Sequence, residues 1–299
     1  MPDTSADPTG ESTPSASLLK AGQGHWPAFQ AAGLDIPRVE EVAKGWTKAL
    51  SGVSRPWLCW KVDDDWCLVQ QRLVQSVGWT PVIGYDPRAG APKKVIDGAI
   101  VIDFNDGLGL PILYPHFPLE FVFRFTDKLA FWHSDLLLPK EVMKQVATEF
   151  NNMKQGQTIA TRPERGFSYM FTNRRKRYWE LLGCTTRLAS AKQFEAGCGW
   201  WRPFSQHPNC PNEQERLKRS HYHWDHGGGI YYWQKFFGGD VTPLTDRRIF
   251  EGHFTKIGNK NYKRQFALGE NWRRLMSAEL VNNFDLKAAC AKVGLSDLL

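Results

Sequence analysis

The sequence predicts an α/β fold in which a mostly parallel central sheet is flanked by helices, and three consecutive features predict it. Trp57 to Val62 (WLCWKV) is a continuous apolar run of strand length, Trp66 to Val77 carries its apolar residues at helical spacing, and Pro81 to Tyr85 (PVIGY) is a second strand-length run. Strand, helix and strand in that order make a βαβ unit, whose crossover helix lets the two strands pair in parallel.

The other elements follow from the same periodicities. Upstream, Ile36 to Leu50 places Val39, Val42, Ala43 and Trp46 on one helical face, and a turn at Ser51 to Pro56 ends it. Asp63, Asp64 and Asp65 stand where a helix N-terminus needs side-chain acceptors, and Gly78 stands where the helix should stop. A Pro/Gly/Lys loop, Asp86 to Lys94, leads to a third strand candidate, Ala99 to Phe104 (AIVIDF). Lys128 to Leu138 (KLAFWHSDLLL) is an apolar run broken in its middle by His133, Ser134 and Asp135, its apolar part is expected as a strand of the same sheet, and a helix from Pro139 to Asn151 follows with proline in its first turn. Between Gly156 and Ser190 the chain is polar and basic, with a helix expected around Arg175 to Leu182. Gly197 to Asn209 (GCGWWRPFSQHPN) is too rich in Gly, Trp and Pro for a regular element. A helix from Gly227 to Trp233, a strand from Asp240 to Leu244, the segment Glu251 to Ile257 (EGHFTKI) and a C-terminal amphipathic helical region complete the chain.

A chain of 299 residues with 42% hydrophobic content can bury one large core. Met1 to Ser17 is rich in Pro, Ser, Thr, Asp and Gly, so residues 1–22 are expected to form a disordered tail and residues 23–299 a single domain. No apolar run approaches the roughly 20 residues of a membrane span, and the start lacks the basic and apolar regions of a secretory signal. A cytoplasmic protein is the expectation. The six cysteines form no CxxC pair, which favours reduced thiols over a disulfide or zinc framework. The formal charge of +7 suits an anionic ligand, whether a nucleic acid or a nucleotide diphosphate, and does not choose between them. The thirteen tryptophans offer flat apolar faces with a single donor, suited to cores, sugar rings and bases alike.

Two constellations carry chemistry. The first is His221, His223, Asp225 and His226 followed by glycines, an HxHxDH pattern that resembles the metal loop of the metallo-β-lactamase family. That family carries the motif in its first half and needs further ligands downstream, whereas here 73 residues follow His226 and include one histidine, His253.

The second constellation spreads from Arg55 to Ile257 and resembles the GT-A fold of nucleotide-sugar glycosyltransferases. The βαβ start is similar to that family's Rossmann-like nucleotide-binding half, FWHSDLLLP to its strand-end cation motif, GCGWWR to its acceptor segment, and WDHGGGIYYWQKFFGGDVTPL to its catalytic segment. The resemblance implies a GT-A-like sheet with a nucleotide half and an acceptor half. It implies a divalent cation, manganese or magnesium, held by His133, Asp135 and the late histidine His253, and donor contacts from Asp63, Asp64, Ser134 and Asp135. Acceptor contacts fall to Trp200, Trp201 and Arg202. Asp225, 90 residues after Asp135, becomes the base that takes the acceptor hydroxyl proton, with inversion at the anomeric carbon. His133 stands where a first carboxylate is usual, and Trp224 replaces the carboxylate before Asp225.

The implied activity is sugar transfer from a nucleotide-diphosphate donor to a hydroxyl acceptor such as a glycan, with no nucleic-acid partner and no membrane span. A metal-dependent hydrolase built on the HxHxDH cluster and, third, a nucleic-acid-binding protein remain open. So do purely structural roles: helix caps for Asp63 to Asp65, Asp135 and Asp225, an ordinary half-buried histidine at 253, and core positions for Trp200 and Trp201.

Overall fold

The computed structural model describes residues 36–87, 89–110, 113, 115–162, 178–196, 198–200, 227–254 and 285–299, organised on a seven-stranded sheet. The expected tail, residues 1–22, lies outside the described residues. In chain order the elements are α1 (Ile36–Ala49), β1 (Pro56–Lys61), α2 (Asp64–Ser76), β2 (Thr80–Tyr85), β3 (Ile100–Val101), α3 (His116–Val122), β4 (Lys128–Trp132) and α4 (Lys140–Asn151). They continue with β5 (Gln157–Thr161), β6 (Trp179–Thr186), α5 (Arg187–Glu195), α6 (Gly228–Phe237), β7 (Asp240–Leu244), α7 (Arg247–Glu251) and α8 (Leu286–Val293), and end in a 3-10 turn, Ser296–Leu298.

The strands are ordered β3-β2-β1-β4-β6-β5-β7, and only β6 runs against the rest. The three predicted strands β1, β2 and β4 are neighbours in this sheet and pair in parallel. Alternate residues of each strand serve opposite faces, so two cores form. Leu58 and Trp60 of β1 and Leu129 and Phe131 of β4 meet α1, α3, α5 and α6. Trp57 and Cys59, with Ala130 and Trp132, meet α2, α4, α7 and α8. A strand covered on both faces is apolar over most of its length, which explains why β1 reads as a buried run that ends in Lys61.

Local sequence sets the ends of the elements. Asp63 caps α2 by accepting hydrogen bonds from the backbone N–H groups of Asp65 and Trp66, and Gly78, at φ +74°, takes the left-handed turn beyond its C-terminus. Asp285 and Gly294 do the same for α8. Eight of the nine described tryptophans are buried, and Trp57, Trp79, Trp132 and Phe150 form a contiguous ring cluster beneath the sheet.

Two expectations are corrected. The helix expected around Arg175 to Leu182 is a strand, β6, over residues 179–182. Its Trp-Glu-Leu-Leu spacing mimics a helix, but burial on both faces removes the alternation that would have marked a strand. Gly183 sits where a Cβ would approach the Ile159 carbonyl to 2.9 Å. The strand expected at Ala99 to Phe104 shrinks to two residues at the sheet edge, extended by one bond from Ile102 N–H to the Ile83 carbonyl. The run Lys128 to Leu138 leaves the sheet after Trp132, where its polar residues begin. β5, α3, α5 and α7 have no counterpart among the sequence expectations.

Candidate functional site

The chain leaves β1 for β2 and β3 on one side and returns to β4 on the other. β1 and β4 therefore flank the switch point of the sheet, and the crevice beyond their C-terminal ends is where open α/β sheets place ligands. Two segments singled out in the sequence reach this edge: Asp63 to Asp65 follows β1, and His133 to Asp135 follows β4.

The turn after β4 is fixed from three directions. The His133 N–H donates to the Leu181 carbonyl of β6, the Leu136 N–H closes the turn on the His133 carbonyl, and the side-chain amide of fully buried Gln70 on α2 donates to both the His133 and Leu136 carbonyls, at 2.8 and 2.9 Å. A late segment then joins it. Leu136 forms a β-bridge with His253, the Phe254 N–H donates to the Asp135 carbonyl, and the Leu137 N–H donates to the Gly252 carbonyl. Gly252 allows this approach, because a Cβ there would stand 2.1 Å from the Leu137 carbonyl oxygen.

This backbone framework brings His133, Asp135 and His253 together. Asp135 Oδ1 lies 3.2 Å from His253 Nε2 and 3.7 Å from His133 Nδ1, and the two ring nitrogens are 3.3 Å apart. Three donors bound at about 2.0 to 2.2 Å around one ion are separated by roughly 3.3 to 3.6 Å in a tetrahedral shell and by about 3 Å at octahedral right angles. The triangle has the dimensions of three ligand positions, and two imidazoles with one carboxylate suit a first-row transition cation. Asp135 is buried, while His133 keeps 29% of its side-chain surface exposed and gives the cluster its open side.

Two residues not anticipated from the sequence complete the surroundings. Glu180 of β6 places Oε1 3.7 Å from His133 Nε2, and His116, the first residue of α3, joins them with its ligand nitrogen within 4.8 Å of both. Both are buried. A carboxylate inside an apolar strand is the signal that singled out Asp135, but the helical reading of this segment hid Glu180.

The other candidates divide. Ser134 is half-buried in the turn between His133 and Asp135. Asp63 is the N-cap of α2, and Asp64 accepts the Lys93 N–H at 2.7 Å, with the buried Lys61 ammonium 3.8 Å away. These bonds fold the Asp86 to Lys94 loop over the C-terminal end of β1, helped by Lys61 donating to the Ala89 and Gly90 carbonyls and by the Asp65–Lys94 ion pair. Asp135 is not the cap of α4, whose N-cap is Pro139. Tyr85, ending β2 at the same edge, has its phenol pushed up to about 12, first by desolvation and then by the Asp103 carboxylate.

Trp200, expected at the acceptor, is instead wholly buried. Its ring meets Phe131 edge-on at 4.8 Å and its Nε1–H donates to the Thr185 hydroxyl. Trp201, Arg202 and Asp225, like His221, His223 and His226, lie outside the described residues. Gly227, two residues after Asp225, stands against the Tyr178 carbonyl, where a Cβ would come within 2.2 Å, and Tyr178 is two residues before Glu180. A cleft of about 570 Å³ lined by Gly156, Leu188, Lys192, Trp233 and Asp240 lies at the opposite end of the sheet, by the starts of β5 and β7.

Among the described residues no helix is long and apolar enough to cross a membrane. Comparison with protein-family models, with curated proteins and with solved structures returns no match.

Proposed function

We propose that the chain is a nucleotide-sugar glycosyltransferase of the GT-A type, moving a sugar from a nucleotide-diphosphate donor to an acceptor hydroxyl with inversion. The observation that carries the reading is the His133–Asp135–His253 triangle at the switch point of the sheet, assembled from a strand end and a segment 120 residues later. The parallel strands β3-β2-β1-β4 correspond to a nucleotide half, and β6-β5-β7 to an acceptor half.

A divalent cation bound by the triangle would supply positive charge beside the departing diphosphate. Manganese fits two imidazoles and a carboxylate better than magnesium does. The chain's own residues do the rest. Gln70 and the Leu181 carbonyl hold the turn that carries His133 and Asp135, and the bridge to His253 fixes the third ligand. Asp225 is assigned the acceptor proton, and Gly227 brings the chain back against β6 next to the site.

A thermal-shift series with nucleoside diphosphates, with and without Mn²⁺, tests the proposal. A ligand at about 100 times its Kd stabilises by about 2.7 kcal/mol, which raises Tm by several degrees in a chain of this size. The rise should require both nucleotide and Mn²⁺ and should vanish in Asp135→Asn. Stoichiometric zinc with ester or amide hydrolysis, and no nucleotide effect, would replace the transferase with a metal-dependent hydrolase.

A further inference from the structure

The two ring nitrogens of His133 face different groups. Nδ1 is directed at Asp135 and His253, at 3.7 and 3.3 Å, whereas Nε2 is 3.7 Å from the Glu180 carboxylate. A neutral imidazole has one lone pair and one N–H, so a ring that gives its Nδ1 lone pair to a cation carries its proton on Nε2. That proton then sits on the nitrogen 3.7 Å from Glu180, a gap that a small ring rotation closes to hydrogen-bond length.

We propose that Glu180 is a positioning residue for the cation site: it takes the Nε2–H of His133, fixes that ring as an Nδ1 donor, and raises its affinity for a transition metal without touching the ion. The inference rests on the triangle being a cation site. Its physical basis is general. A carboxylate behind a ligating histidine selects the tautomer, holds the ring plane and makes the ligating nitrogen more basic. Glu180 is well placed for this, because it projects from β6, the strand whose Leu181 carbonyl also holds the His133 backbone. Backbone and ring of His133 thus face consecutive residues of the same strand. Burial strengthens the effect, since little water competes for the Glu180 oxygens.

His116 raises a competing arrangement, because His116, His133 and Glu180 are themselves close enough to surround an ion. Occupying both groups at once through opposite nitrogens would turn His133 into an imidazolate shared by two cations, with the loss of its last ring proton. One ion with a protonated Nε2 needs no such ionisation, and it leaves the Glu180 carboxyl facing a hydrogen-bond donor.

The experiment is titration of the full-length protein with Co²⁺, followed by its visible absorption bands, and with Mn²⁺, comparing wild type with Glu180→Gln, Glu180→Leu, His133→Asn, His133→Gln and His116→Ala. Circular dichroism and Tm confirm that each variant is folded. The wild type should bind one equivalent. Glu180→Leu should bind about 10- to 100-fold more weakly with an altered cobalt spectrum, and Glu180→Gln, whose amide oxygen still accepts, should fall between. His133→Asn places an oxygen near the Nδ1 position and should retain more affinity than His133→Gln, whose polar end falls near Nε2. Unchanged affinity and spectrum in Glu180→Leu would overturn the positioning role while leaving the triangle intact. Two equivalents, one of them lost in His116→Ala, would overturn it in favour of a second cation site. No binding by the wild type would remove the triangle and the positioning role together, whereas failure of sugar transfer alone would touch neither.

Discussion

His253 Nε2 lies 3.3 Å from His133 Nδ1 although 120 residues separate them in the chain. The contact depends on backbone, since His253 enters through a β-bridge to Leu136 and a hydrogen bond from Phe254 N–H to the Asp135 carbonyl. Its most exacting member is a glycine.

Gly252→Ala should therefore weaken cation binding without removing any ligand. The added methyl would meet the Leu137 carbonyl oxygen at 2.1 Å, and because that atom is backbone the His253 segment must move. Mn²⁺ affinity should fall by at least about 10-fold, with a stability loss of about 1 to 3 kcal/mol for the forced shift. Calorimetric titration and urea unfolding measure the two effects separately, and undiminished affinity would show that the segment has room to adapt.

Asp225→Asn should lower the rate of sugar transfer by about 10²- to 10⁴-fold while leaving nucleotide diphosphate affinity unchanged. The amide keeps the shape of the side chain and loses its ability to take a proton. Single-turnover kinetics with saturating donor provide the check. An equal loss in donor affinity would place Asp225 in binding instead.

Trp200→Ala should act on folding, not on acceptor recognition. Removing a wholly buried indole that meets Phe131 costs about 3 to 5 kcal/mol in urea unfolding. Trp200→Phe should cost less, though it leaves the Thr185 hydroxyl without the indole donor, worth about 1 kcal/mol. A Trp200→Phe protein of native stability but with a raised acceptor KM would restore the residue to the site.

Stability should fall on the alkaline side. Burial pushes the Cys67 thiol from 9.0 up to about 12 and moves Cys59 and Cys184 upward as well. Above pH 9 the unfolded chain loses thiol protons that the folded chain keeps, so it binds fewer protons and stability declines with rising pH, through the window from 9.0 to about 12 for Cys67. Each such thiol contributes about 1.4 kcal/mol per pH unit within its window. Urea unfolding at pH 8, 9 and 10 should show the decline, and a Cys67→Ala variant should show a shallower one.

Much of the sheet was legible because its signals are local. The apolar runs of β1 and β2, the helical period between them, the cap at Asp63 and the stop at Gly78 are set by neighbours in sequence, and they determine a parallel pair wherever the rest of the chain goes. The polar interruption at His133 and Asp135 was visible for the same reason, since polar groups inside an apolar run are costly unless something uses them. Tertiary structure alone decided the rest. Whether Trp-Glu-Leu-Leu-Gly becomes helix or strand depends on β4 and β5 standing on either side to receive its hydrogen bonds, so β6 and Glu180 could not be read from spacing. Trp200 carries the same residue whether it faces a sugar or Phe131, and only packing sends it to Phe131. The sequence likewise contains His133, Asp135 and His253 at fixed intervals, but distance along the chain says nothing about distance in space. Their 3.2 to 3.7 Å triangle exists because the sheet edge and a bridge through Leu136 close a loop that no local preference encodes.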